Sequence, residues 1–319
     1  MLKELDNNTL KELQKVELEI LNEFERICKK YKLTYFAVGG TLIGTIRHKG
    51  FIPWDDDIDL GMPRKDYDKL IEICENTDEL NSNYYLQSGY DYENNWTCFT
   101  KIRKKNTLAD EAQIHHINKP KGIFIDIFPY DNVPSNRGVA FKIRNNLVKA
   151  INETIFYKWK TKKLSDLRIK PLCLFLSMFS NKTLKVWLNK IAKKYNHRDC
   201  EYVINYLGAY SLNKETFKKN VFTPIIMKKF AGRDIPVPNN YHFYLTQIYG
   251  DYLKLPPKEK RVNHSMMNVH FWQWEKNVGF LLAIIFIALM PAKFKLDYYL
   301  ANSCLENVFP SIRASLLRI

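Results

Sequence analysis

Paired cysteines are missing from this chain. Cys28, Cys74, Cys98, Cys173, Cys200 and Cys304 stand singly, with no CxxC and no metal-ligand spacing. That rules out a disulfide framework and a cysteine-built zinc site, and it fits reduced thiols in the cytoplasm. Glycine and proline are scarce, 12 and 13 in 319 residues, so neither a collagen-like nor a low-complexity chain fits. The N-terminus is charged and amphipathic and lacks the apolar stretch of a secretory signal. Long apolar runs are also absent. The one membrane-like segment, VGFLLAIIFIALM at 278–290, is shorter than the roughly 20 residues that a spanning helix needs. It suits core or tail packing, or, with Lys293, Lys295, Trp272 and Trp274 around it, peripheral contact with the inner membrane face.

Acidic residues are in deficit too: 34 Asp and Glu against 49 Lys and Arg, a net charge of +15. Such a balance points to a polyanionic partner, whether nucleic acid, an anionic membrane or a phosphate-rich substrate. The basic residues are dispersed and no RNA-binding motif or zinc-finger spacing is present, so nucleic acid is not the expected partner.

Against that background the negative charge is concentrated at one place. GFIPWDDDIDLG (50–61) sets Asp55, Asp56, Asp57 and Asp59 among apolar neighbours. The periodicities predict an N-terminal amphipathic helix, capped by Thr9 with Glu12 and carrying Leu10, Leu13, Val16, Ile20, Phe24 and Ile27 on one face. A strand over 34–38 then breaks at Gly39-Gly40, and a short helix follows over 41–48. DIDLGM (57–62) alternates as a strand, and Pro63 opens a helix. Further strands are expected at 84–88, 96–103 and 122–128, mostly helix from 139 to 230, a tight turn at 232–238 and a helix over 241–250. The fold class is α+β: a mixed sheet flanked by helices, with a mostly helical second half. Its expected parts are a helix over 1–30, a catalytic core over 31–135, a helical part over 136–265 and an apolar, basic tail over 266–319.

Alternation in a strand puts Asp57 and Asp59 on one face, about 7 Å apart, with Ile58, Leu60 and Met62 behind them. Two carboxylates before an apolar back suit a hard, oxygen-seeking cation, Mg²⁺ or Mn²⁺. Asp126, the one charge in GIFIDIF, is costly as a buried anion unless a Lys or Arg pairs with it or it joins a metal site. The candidate catalytic and metal-binding residues are therefore Asp57, Asp59 and Asp126. Gly39 and Gly40, between a strand and a helix, let backbone N–H groups approach phosphate. Arg47 and Lys49 before the acidic loop, and Lys101 and Arg103 alternating on a strand, are candidate phosphate partners. His48 has no visible partner, Asp55 and Asp56 suit an outer shell, and Trp54 and Tyr130 suit packing or the cradling of a cation.

The order of a glycine pair, a D-h-D about 17 residues on and a distant Asp resembles the nucleotidyltransferase superfamily, with its DNA-polymerase-β-like fold. Residues 39–68, KIRKKNT (101–107), FIDIFPYD (124–131) and YGDYLKLPPKEKRVNH (249–264) resemble more closely the LicD family. The resemblance implies a metal-dependent phosphotransferase moving phosphocholine from CDP-choline to a surface glycan: a teichoic acid, a capsule or a lipopolysaccharide sugar, on an acceptor that is often lipid-linked. It also implies Asp57, Asp59 and Asp126 as metal ligands, Gly39 and Gly40 as phosphate-loop glycines, and a place near the donor or acceptor for Lys260, Arg261 and His264. Two further readings stay open: a CDP-glycerol or CDP-ribitol transferase, or nucleotidyltransferase, and an inactive membrane-associated scaffold of surface-polymer assembly.

Overall fold

The computed structural model describes residues 5–91, 95–112, 114–135, 138–159, 171–261, 263 and 266–271. The chain divides into a unit over 1–270 and another over 271–319. The apolar run at 278–290, His264 and the Lys260 side chain lie outside the described residues.

Helix α1 (Asn7–Tyr31) begins earlier than its periodicity suggests, because Asp6 caps it in place of Thr9. The Asp6 carboxylate accepts the N–H groups of Asn8 and Thr9 at 3.0 and 3.1 Å, and the Thr9 hydroxyl donates to it as well. Strand β1 (Phe36–Ala37) passes at Gly39 into α2 (Gly39–Ile43), which continues as a π turn over Gly44–His48. Strand β2 (Asp59–Pro63) leads into α3 (Arg64–Asn76), with Pro63 as its cap. Strands β3 (Tyr84–Gln87), β4 (Thr100–Lys104), β5 (Thr107–Glu111) and β6 (Phe124–Val133) follow.

The strand expected at 96–103 is cut to its second half. The Asn95 side chain accepts from the Thr97 N–H and donates to the carbonyls of Ser88 and Phe99, which bends 96–99. Strand β6 is longer than expected because it exchanges partners, pairing with β2 and β4 first and with β7 (Tyr202–Ile204) at its end.

Helices α4 (Val139–Trp159), α5 (Pro171–Ser177) and α6 (Asn181–Ala192) supply the helical second half. They share an apolar cluster that includes Val148, Ile151, Ile155, Leu184 and Leu188 with Val133 and Ile204. Beyond them the expected helical run gives way to short strands: β7, β8 (Thr216–Lys218), β9 (Ile226–Phe230) and β10 (Arg233–Val237). The turn near 232 joins β9 to β10 and does not open a helix. Ala231 and Gly232 both take positive φ, 48° and 83°, the handedness that a two-residue hairpin requires. Helix α7 (Tyr241–Tyr249) falls where the sequence places it, and β11 (Met266–Phe271) pairs with β5.

The main sheet is mixed, in the order β1-β2-β6-β4-β3, with β7 on β6 and β8 on β7. Strand β2 runs parallel to β6, and the other pairs are antiparallel. Ile58, Leu60, Met62, Ile102, Ile125 and Ile127 are fully buried, whereas Asp57 and Asp59 are half-buried, so the expected alternation holds. Regular pairing begins only at Asp59; Asp57 lies in the loop just ahead. Among the described residues no helix is long and apolar enough to cross a membrane.

Candidate active site

The sheet register carries a row of polar side chains across four strands. Asp59 of β2 is paired with Asp126 of β6, Asp126 with Lys101 of β4, and Lys101 with Gln87 of β3. Residues opposite one another in register share a face, so Asp59 and Asp126 are lateral neighbours one strand spacing apart. The Lys101 ammonium lies 2.8 and 3.1 Å from the two Asp126 oxygens and over the Phe124 ring. Of the two options for a lone buried aspartate, Asp126 therefore has the lysine. Burial still dominates, leaving its carboxyl raised although Lys101 pulls it down.

Arg103 lies deeper and is fully buried. Its guanidinium donates to the Gly122 carbonyl (2.7 Å) and to Gln87, with Trp96 and Phe124 alongside. The pair expected at phosphate is thus interior: Lys101 is 3% exposed and Arg103 0%.

The glycine pair has a steric reason visible only in three dimensions. A Cβ on Gly39, whose φ is +56°, would collide with Asp59 Oδ2, and one on Gly40 would come within 2.6 Å of Asp55 Oδ2. The turn therefore makes room for two carboxylates of the acidic loop. The Asp59 backbone is fixed there too: its N–H donates to Thr41 Oγ1 at 2.8 Å, and its carbonyl accepts from the Val38 N–H.

In the loop, carboxylate oxygens of Asp55, Asp56 and Asp57 all lie within 4.8 Å of one another, with Asp55 and Asp56 buried. A fourth acid comes from α1, which the sequence reading assigned no chemistry. Gln14 donates to the Asp55 carbonyl at 2.9 Å, and one turn later Glu17 is 1% exposed. Among the described residues its Oε2 has no hydrogen-bond partner. Burial first, then the charges of Asp57, Asp56, Asp55 and Asp126, push the Glu17 carboxyl well above the usual carboxylate range. The trace of this in the sequence is a gap in the apolar stripe: Leu10, Leu13, Ile20, Phe24 and Ile27 step by three and four, and the missing member is Glu17. An all-oxygen donor set with an orphaned buried carboxylate oxygen fits a hard divalent cation.

Cations border the same loop. Arg47 donates to the Tyr252 carbonyl (2.7 Å) and to His48, whose pKa burial and Arg47 together depress. Arg261, anchored on the Pro256 carbonyl, lies over Trp54 at 5.5 Å. Burial lowers the Arg47 pKa first, and the neighbouring Arg261 lowers it further. Lys49 is exposed, and its ammonium returns to the Ile46 carbonyl. Tyr130 is a core residue, packed on Phe36 and Phe222 with its hydroxyl 3.0 Å from that of Tyr244.

Comparison with known proteins gives this arrangement a family. Residues 32–175 match the model described as LicD/FKTN/FKRP, nucleotidyltransferase domain. Over 266 residues the chain is 34% identical to the lipopolysaccharide cholinephosphotransferase LicD of Haemophilus influenzae, covering 82% of this chain and 98% of that protein. The chain belongs to the LicD family. It is also 28% identical over 118 residues, 37% of its length and 40% of the other's, to the uncharacterized protein RP689 of Rickettsia prowazekii. The LicD-family segment holds the glycine turn, the acidic loop and the Asp126–Lys101 pair, whereas Glu17 precedes it and Arg261 follows it.

Proposed function

We propose that this LicD-family protein transfers phosphocholine from CDP-choline to a hydroxyl of a cell-surface glycan. The observation that carries the reading is the identity to the Haemophilus influenzae cholinephosphotransferase over nearly its whole length. The juxtaposition of Asp59 with Asp126 beside the glycine turn supports it.

In this reading Asp57 and Asp59 hold Mg²⁺ or Mn²⁺, with Asp126 beside them and Asp55, Asp56 and Glu17 adding negative charge. Bound there, the ion supplies charge neutralisation at the donor diphosphate. Arg47 and Arg261, adjacent cations at the rim, receive the diphosphate oxygens, to which guanidinium geometry is suited. Asp126 accepts the proton of the acceptor hydroxyl while Lys101 keeps its carboxylate in place. The acceptor oxygen bonds to the phosphorus that carries choline, the P–O bond to CMP breaks, and CMP leaves. Because such transition states are loose, most of the rate comes from positioning and charge.

The test is a panel of CDP-choline, CDP-glycerol and CDP-ribitol with Mg²⁺, with CMP read by chromatography. CMP release from CDP-choline in preference to the others is the expected result. Release from the polyol donors alone would replace phosphocholine by a polyol phosphate, and no metal-dependent donor binding at all would favour the scaffold reading.

A further inference from the structure

Glu215 is 3% exposed and immediately precedes β8, with Gln247 of α7 donating to the Lys214 and Thr216 carbonyls on either side of it, yet no ion pair engages it among the described residues. Its carboxylate accepts the Tyr210 N–H at 3.3 Å and lies so close to Gly208 that any Cβ there would collide with Oε1. Lys214, the adjacent residue, donates its ammonium to the Ile248 carbonyl at 2.6 Å, on the Tyr210 ring.

The hydrogen-bond partner of Glu215, Tyr210, belongs to an aromatic pair. Tyr210 and Tyr249 meet edge to face, with centroids 5.2 Å apart. The Glu215 charge is felt by the phenols of Tyr210 and Tyr249 and, behind them, of Tyr130 and Tyr244. Tyr249 ends α7, three residues before the Tyr252 carbonyl that accepts from Arg47 at the border of the acidic loop, and its phenol also feels the charges of Asp59 and Asp55. Tyr210 is 39% exposed and Gly208 half-buried, which leaves the nest open on that side.

A buried carboxylate without a cation is expensive, and an incoming cation offsets that cost. A cation that cannot donate hydrogen bonds, a quaternary ammonium, is held by aromatic faces together with a nearby negative charge. We propose that Glu215, Tyr210 and Tyr249 form the subsite for the cationic head of the transferred group, with its phosphate on the Asp59 side of Tyr249. This rests on the phosphocholine reading above and names the residues that would distinguish choline from an uncharged polyol.

The test compares the Kd of CDP-choline with that of CDP-glycerol by calorimetry, since the two donors differ only in the head. It is run on the native chain, on Glu215→Gln, which keeps size and hydrogen-bonding capacity, and on Tyr210→Ala at the exposed rim. Thermal melts check that each variant is folded. The native chain should prefer CDP-choline by tenfold or more, and both variants should bring the ratio toward one while leaving the Kd of CDP-glycerol unchanged. A native preference that survives in Glu215→Gln overturns the subsite and leaves the phosphocholine reading intact. A native chain that prefers CDP-glycerol, or binds neither donor, overturns both.

Discussion

Strand β6 carries two buried aspartates five residues apart, and the protein surrounds them differently. Asp131 is fully buried and fully occupied: two Arg64 nitrogens reach it at 2.8 and 2.6 Å, and the Asn196 amide at 2.6 Å. Asp126 is 6% exposed, has a second carboxylate in register beside it, and relies on the Lys101 ammonium for compensation. An odd spacing on a strand also puts the two on opposite faces. Charge closed off on every side holds a fold together. Charge left with a like neighbour and a single ammonium is suited to a ligand that brings positive charge of its own.

The contrast is open to a double dissociation. Asp59→Asn and Asp126→Asn, with Asp57→Asn beside them, should cut CMP release by a hundredfold or more, about what removing one transition-state-stabilising group costs. Melting temperatures should stay near native for Asp57→Asn and Asp59→Asn, whereas Asp126→Asn, which leaves the buried Lys101 ammonium without its close partner, should lower the melting temperature as well. Asp131→Asn should do the reverse, because it strands the Arg64 guanidinium in the interior. Breaking a buried pair from one side costs about 3–5 kcal/mol, readable as a lower denaturant midpoint at unchanged slope. Turnover per folded molecule should survive. An active Asp126→Asn, or an Asp131→Asn as stable as the native chain, would erase the distinction.

Glu215 sharpens the comparison as a third buried acid. Burial pushes its carboxyl from 4.5 up to about 7, with the Tyr210 N–H pulling weakly the other way. The folded protein thus holds a proton that the unfolded chain releases at lower pH, so stability is lost as pH rises from about 4.5 to about 7. Relative to Glu215→Gln, the native chain should lose about 3 kcal/mol between those limits, and urea melts of both proteins across that range would measure it. Equal slopes in the two proteins would show that the carboxyl is not buried as described.

Much of the site was legible in one dimension because its parts are local. The glycine pair, the alternation around Asp59 and the lone charge in GIFIDIF are readable within a few residues each, and the sheet register does bring Asp59 and Asp126 side by side. What was hidden depends on pairing over long separations. Lys101 reads as a phosphate partner because nothing local says that it stands opposite Asp126 in the β4–β6 register. Glu17 was overlooked because a helix periodicity tolerates one polar member, and its neighbours lie some 40 residues away. The β9–β10 hairpin is hidden because KKFAGRD, with Phe230 its one large apolar residue, shows the turn without the strands.

The smallest effect belongs to Lys49, which separates a charge near the site from one built into it. The sequence offers Arg47 and Lys49 as equivalent phosphate partners, two residues apart on one loop. The fold does not treat them alike. Arg47 is half-buried, tied to the Tyr252 carbonyl and set beside Arg261, whereas Lys49 is exposed and folds back on its own turn. An exposed, flexible ammonium loses side-chain entropy when it grips a ligand, and salt screens it. Lys49→Ala should therefore change stability by less than about 0.5 kcal/mol and the KM for the donor by about twofold at most. Arg47→Ala should raise that KM by tenfold or more, since both a placed guanidinium and its carbonyl anchor are lost. Comparable KM increases in the two variants would mean that the loop closes over the donor in a way that brings Lys49 inward.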